Sequence, residues 1–239
     1  MAPVHLTRRT AAPELVIDIG RLPELRHIRV EGDEVAIGAA TRYRDLVTSS
    51  VLAAECALLP AVAETVGDPQ VRHRGTLGGA VAHGDPAGDM PAAILALDGT
   101  VVLQGPSGRR SVPITDFYDG LFSTVREPDE LVVEIRVPRT GATGWAYEKL
   151  TRRSNDWAIV AVAVATVAGA INVAMVNMAG MPIRATATEA ALADGKSVAD
   201  AALLAAEGTN PPQDSHGTVE YRRHLATVLT RRALTTARG

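Results

Sequence analysis

From residue 157 to residue 183 the chain carries no charged side chain, and an uncharged run of that length either crosses a membrane or lies inside a protein. The pattern within the run decides between them. Val160, Val162 and Val164 alternate with alanines at period two, Ala168-Gly169-Ala170 supplies a turn, and Val173-Ala-Met-Val resumes before Asn177. β-Branched residues alternating around a glycine describe a buried hairpin, and Asn172 and Asn177 are poorly placed for lipid. A membrane anchor through residues 157–183 is the minor reading, to be settled by fractionation in high salt and detergent.

The segments on either side supply a sheet and helices for that hairpin to pack against. A short strand is expected over residues 15–20 and a helical turn over 22–25. A hairpin follows from Ile28 to Gly38 about Glu31-Gly-Asp. Helices are expected over 43–48, capped by Thr41, over 58–66, and from Met90 with Asp89 near its start and Pro91 in its first turn. A hairpin about residues 105–108 comes next. Leu131-Val-Val-Glu-Ile-Arg-Val-Pro then alternates as a strand with Glu134 and Arg136 outward and Pro138 as its stop. Arg139-Thr-Gly-Ala-Thr-Gly is the best linker in the chain, so a domain boundary is expected after residue 139. Beyond it lie a strand over 145–150, the Val/Ala hairpin, and alanine-rich helices over 185–193, 198–206 and 218–236. Strands first and helices later favour α+β over a repeating βαβ sheet.

Charge and cysteine content narrow the function. The 24 basic and 27 acidic residues leave a formal net charge of -3, with no excess to hold a nucleic-acid backbone. The lone Cys56 cannot form an internal disulfide, and with no Cys/His cluster the chain houses no zinc or iron–sulfur centre of its own, which points to the cytoplasm. The amino terminus has no apolar core run and does not read as a secretory signal. His73, His83, His216 and His224 lack ligand spacing and are taken as structural or surface residues; no catalytic residue and no metal ligand is assigned.

The strongest local signal is Gln70-Val-Arg-His-Arg-Gly-Thr-Leu-Gly-Gly-Ala, followed by His83-Gly-Asp-Pro-Ala-Gly-Asp89-Met-Pro. Gly75, Gly78 and Gly79 remove side chains from a short loop, so its N–H groups can approach a phosphate or an aromatic ring. Thr76 adds a hydroxyl, Arg72 and Arg74 add positive charge, and Asp89 is placed to accept from ribose or ribityl hydroxyls while capping the next helix. The bland alternatives are a turn, solvated arginines and a plain helix cap. The spacing is neither the dinucleotide fingerprint nor a Gly-Lys-Ser/Thr phosphate loop.

The whole run from Val71 to Ala92 resembles the flavin-binding signature of the xanthine dehydrogenase and aerobic carbon monoxide dehydrogenase family, in particular the FAD-binding medium subunit of three-subunit molybdenum hydroxylases. The likeness extends through Pro13-Glu-Leu-Val-Ile-Asp-Ile-Gly-Arg, Gly38-Ala-Ala-Thr, Glu127-Pro-Asp-Glu-Leu-Val-Val-Glu-Ile-Arg-Val-Pro, Tyr147-Glu-Lys-Leu-Thr-Arg-Arg-Ser-Asn-Asp-Trp, Met181-Pro-Ile-Arg-Ala and His216-Gly-Thr-Val-Glu-Tyr-Arg-Arg-His-Leu. It implies a PCMH-type FAD-binding domain over residues 1–139, and a C-terminal flavoprotein domain of antiparallel sheet plus helices over 140–239. It also implies flavin contacts at Thr76, Leu77, Gly78, Gly79, Ala80, Asp89, Val132 and Lys149, with a weaker one at Val66. Lys149 is one of only two lysines, and its bland reading is a solvated strand residue. For Val132 the bland reading, a core valine, is compatible with a backbone contact. At Ala80, where relatives often carry Ser or Asn, a polar contact is implied to be missing.

Relatives begin with a further segment ending in a second glycine-rich loop that cradles the FAD pyrophosphate, and Met1 to Pro13 resembles the stretch after that loop. Without about four charge-assisted hydrogen bonds at ~1.5–3 kcal/mol each, binding would weaken by on the order of 6 kcal/mol or more, about four decades in affinity. A start upstream of the recorded one and a shortened, flavin-poor relative both stay open. The resemblance implies an oxidoreductase subunit that collects electrons in FAD from a partner's 2Fe-2S clusters and delivers them to an external acceptor. Its implied partners are a molybdenum-cofactor large subunit and a 2Fe-2S small subunit, in a heterotrimer or its dimer. The alternative is a shortened structural subunit of the same complex that does not hold FAD tightly.

Overall fold

In a computed structural model, residues 14–238 are described; the Met1 to Pro13 stretch discussed above lies outside them. Two antiparallel sheets flank a layer of helices, an α+β arrangement. The first half contributes β1 (Ile28–Glu31), β2 (Glu34–Gly38), β3 (Thr100–Gly105), β4 (Gly108–Pro113) and β7 (Leu131–Pro138), ordered β1-β2-β7-β3-β4. Strands β5 (Tyr118–Gly120) and β6 (Ser123–Thr124) form a small separate ribbon. The second half adds β8 (Trp145–Leu150), β9 (Val160–Val167), β10 (Ala170–Val176) and β11 (Ile183–Arg184), ordered β11-β10-β9-β8.

Six short helices join β2 to β3: α1 (Tyr43–Val47), α2 (Ser50–Glu55), α3 (Leu58–Glu64), α4 (Pro69–Arg74), α5 (Leu77–His83) and α6 (Asp89–Ala96). Three more follow the second sheet: α7 (Thr186–Ala193), α8 (Val198–Ala202) and α9 (Val219–Arg238). Every residue of α6 is buried, as befits a helix apolar on all sides. It packs on α3 and α5 of its own half and on β9, β10 and β11 of the other.

The alternation in β9 is what lets α6 approach. Ala161, Ala163 and Ala165 join the core that contains Ile94, Leu97, Leu77 and Ile135, whereas Val160, Val162 and Val164 join a second core under α9 with Leu225, Leu229 and Leu234. Small residues face the helix layer and branched ones face the long helix, so residues 158–165 of the uncharged run are buried between protein layers, while Trp157 and Met181 near its ends are exposed. Residues Ala168 and Gly169 form the two-residue turn with φ +48° and +85°, the primed-turn geometry of a hairpin. No helix among the described residues is long and apolar enough to cross a membrane.

Several local expectations are corrected. Residues 15–17 form no strand: Leu15, Val16 and Ile17 are 61–74% exposed and pair with no neighbour among the described residues. Thr41 does not cap α1, whose N-cap is Arg42; its hydroxyl donates to the His27 carbonyl at 3.2 Å. Helix α8 stops at Ala202. Glu134 faces away from the main core yet is 3% exposed, because His27 (2.9 Å), Arg29 (3.1 Å) and Arg136 (2.7 Å) close over it. The residues after Pro138 are tied down as well, with Thr140 and Gly141 both donating to the Glu55 carbonyl at 2.9 Å.

Candidate functional site

The glycine-rich segment is helical rather than looped. Asp68 caps α4 through the Val71 N–H, and Thr76 caps α5 by accepting from the Gly79 N–H at 3.2 Å. Leu77 N–H donates to the Thr41 carbonyl at 3.0 Å and Gly78 N–H to the Ala39 carbonyl at 2.9 Å, while Ala80 N–H donates to the Thr76 carbonyl. Those backbone donors are therefore engaged, which corrects the expectation of a loop with free N–H groups. Gly78 is required for close approach: a Cβ there would lie 2.4 Å from the Ala39 Cβ and 2.7 Å from its Cα. Gly79, by contrast, is exposed, and its missing side chain leaves a bare patch beside the Thr76 hydroxyl, whose proton has no acceptor among the described residues.

Arg72 lines an open cavity and keeps its charge, but part of its guanidinium is engaged by backbone. One guanidinium nitrogen donates to the Glu64, Val66 and Gly67 carbonyls at 3.1–3.2 Å, closing the C-terminal end of α3. Val66 is thus held through its carbonyl and packs its side chain on the main core, and Val132 is a core residue at 6% exposure.

Asp89 is the centre of the polar arrangement. It occupies the first position of α6 after the N-cap Gly88 and makes no capping bond, so the expected cap role is corrected. Its carboxylate is 3% exposed and is taken from two sides: Lys149 Nζ donates to Oδ2 at 2.7 Å and the Tyr147 hydroxyl donates to Oδ1. Lys149 also donates to the Thr65 carbonyl at 3.2 Å. Burial raises the Asp89 pKa above the usual carboxylate range, Lys149 and Tyr147 oppose that rise, and Asp85 adds to it. Residues 147 and 149 project from the same side of β8, so one strand of the second sheet delivers both partners to a carboxylate of the first half.

An open cavity of about 480 Å³ adjoins this cluster, walled by Thr65, Gly67, Arg72, Lys149, Ser154 and Asn155. Of the residues expected at the site, Asp89, Lys149 and Val66 gather around the end of α3. Leu77 to Ala80 lie on the first turn of α5 with Thr76 as its cap, tied in through Gly75, whose carbonyl accepts from the Tyr43 N–H and which lies against the Tyr43 ring. The Asp89 charge raises the pKa of the buried Tyr43 as a secondary effect after burial. Sequence reasoning missed Tyr147, Thr65 and Tyr43. The signal for Tyr147 was its two-residue spacing from an unusual lysine.

Comparison with known proteins shows the family. Residues 3–140 match the family described as FAD binding domain in molybdopterin dehydrogenase, and residues 145–237 match the CO dehydrogenase flavoprotein C-terminal domain. The carbon monoxide dehydrogenase medium chain of Hydrogenophaga pseudoflava is 41% identical, over 96% of this chain and 83% of that one. The glyceraldehyde dehydrogenase medium chain of Sulfolobus acidocaldarius is 36% identical over 95% and 84%. Among solved structures, carbon monoxide dehydrogenase from H. pseudoflava superposes with a TM-score of 0.92 at 44% identity, covering 99% of this chain and 86% of that one. Quinoline 2-oxidoreductase from Pseudomonas putida 86 superposes at 0.91 with 29% identity over 99% and 86%.

Proposed function

The chain belongs to the family of FAD-binding medium subunits of the molybdenum hydroxylases, and from that premise we propose that it is the electron-transfer subunit of such a complex. It is an oxidoreductase subunit whose cofactor is FAD. In the proposed role it receives electrons from the 2Fe-2S clusters of a small subunit, themselves reduced by a molybdenum-containing large subunit, and hands them to an external acceptor. The assembly is a heterotrimer or its dimer, and its place is the cytoplasm. A boundary after residue 139 divides the flavin domain from the C-terminal domain.

The donor set present fits FAD. An ammonium has three hydrogens, and Lys149 commits two, to Thr65 and Asp89; the third serves a carbonyl or ring-nitrogen acceptor. The Thr76 hydroxyl and the bare surface of Gly79 suit a close polar approach, and the remaining lone pairs of Asp89 accept from hydroxyls. When bound, FAD supplies exchange of two electrons on one side and single electrons on the other. The residues around it bind, orient and set local charge: Asp89 holds Lys149 in place, Leu77 and Gly78 lock α5 to the first sheet, and Ala80, Val132 and Val66 shape the apolar wall. No side chain here needs to carry a proton for the substrate's chemistry.

The observation that carries this reading is the buried Asp89–Lys149 pair beside an open polar cavity, at positions the family resemblance assigns to flavin. Calorimetric titration with FAD tests it. Wild type is expected to bind and Thr76→Ala to bind about tenfold more weakly, the worth of one hydrogen bond. Equal heats for the two would favour the structural-subunit alternative. For the electron-transfer role, the complex isolated with its partner chains should carry a flavin absorbance that bleaches on reduction through the partners. A colourless complex with full substrate turnover would end that role.

A further inference from the structure

We propose that Tyr147 is a positioning residue of the flavin site, its hydroxyl fixing the Asp89 carboxylate in the orientation that lets Asp89 and Lys149 serve the cofactor. This rests on the reading that FAD binds at Asp89 and Lys149. A carboxylate held by one lysine alone can swing about its Cβ–Cγ bond, because a –NH₃⁺ group is a point donor without directional preference. Tyr147 removes that freedom by bonding to Oδ1 while Lys149 bonds to Oδ2 at 2.7 Å. The two partners come from alternate residues of β8, so their separation is set by the strand itself.

Other features agree. Tyr147 packs its ring against the main core, which leaves the hydroxyl as its polar purpose. Burial holds the phenol pKa well above its ordinary value, and the Asp89 charge adds to this, so Tyr147 remains a donor throughout the working pH range. The titratable groups facing Asp89 are Lys149 and Tyr147 from β8, Asp85 from the connection between α5 and α6, and Tyr43 from α1. Only the two β8 residues stabilise the carboxylate. Loss of the Tyr147 hydroxyl therefore lets Asp89 take up a proton at higher pH, and the cofactor loses an anionic acceptor.

The test compares Tyr147→Phe with Trp145→Phe in the full chain. Trp145 lies two residues earlier on the same side of β8 and bonds to the Ala142 carbonyl, so it reports packing without touching Asp89. Carboxyl-detected NMR of the FAD-free chain reads the Asp89 titration, and quenching of flavin fluorescence reads FAD affinity as pH is lowered. Tyr147→Phe is expected to raise the Asp89 midpoint by about one unit and to weaken FAD binding about tenfold, with the deficit growing as pH falls. Trp145→Phe should move neither. An unmoved Asp89 midpoint in Tyr147→Phe, or an equal shift in Trp145→Phe, overturns the positioning role. A moved midpoint with unchanged FAD affinity overturns its relevance to the cofactor. Failure of wild type to bind FAD overturns the site reading itself, and this inference with it.

Discussion

Lys149 and Asp89 form the only ion pair among the described residues in which both side chains are less than a tenth exposed, 9% and 3%. Such a pair matters most when it is broken. Lys149→Met leaves a buried carboxylate with Tyr147 alone and is expected to cost about 3–5 kcal/mol near neutral pH. The sign of the pH dependence follows from burial, which already raises the Asp89 pKa; removing the cation raises it further. At low pH the carboxyl is neutral in both proteins, so the penalty shrinks as pH falls and grows as pH rises. Urea midpoints at acidic and at mildly alkaline pH measure this, and a penalty larger in acid would contradict it. Lys149→Arg should not restore FAD affinity, since a planar fork does not replace a compact ammonium beside the Thr65 carbonyl.

At the scale of elements, close approach and turn geometry make the sharper demands. Gly78→Ala drives a Cβ into Ala39 and is expected to destabilise by about 1–3 kcal/mol, with α5 displaced from the β2–α1 connection; a melting curve superimposable on wild type would contradict the packing. In the β9–β10 turn Ala168 holds φ +48°, a region costly for most residues but tolerated by Gly and Asn. Ala168→Asn is expected to stabilise by about 0.5–1 kcal/mol in thermal unfolding. The hairpin was legible because its period of two is unbroken and its apolar character unmistakable. The sheet strands with clear alternation, such as Leu131 to Pro138, were legible for the same reason. Helices α2, α4 and α5 were not: each has only six or seven residues, too short for a 3.6-residue period to show, and glycines in α5 imitate a loop. At the proposed site, family resemblance named Asp89 and Lys149, and the structure brings the two side chains together; Tyr147 had only its two-residue spacing from Lys149 as a signal, and no pattern around Asp89 reveals that a strand 58 residues further on meets it.

For the whole molecule, α6 is the member on which both halves close. Its N-terminal residue is gripped by Lys149 and Tyr147; at its C-terminal end Asn172 donates to the carbonyl of its last residue, Ala96, at 2.9 Å, and just beyond it to Asp98 at 2.7 Å, while Arg184 reaches Asp98 at 2.6 Å. Cleavage between residues 139 and 144 should therefore leave two fragments that co-elute in gel filtration and separate only in denaturant; separation under native conditions would show that these contacts are weak. The same arrangement orders events on the ribosome. A nascent chain that has emerged only to Pro138 has made α6 but none of the β9 and β10 alanines that cover it, and neither Tyr147 nor Lys149 is yet in place. On the proposed site, cofactor capture then waits for the second sheet, and retention of flavin would report that synthesis has run past the hairpin and that the central helix has found its cover.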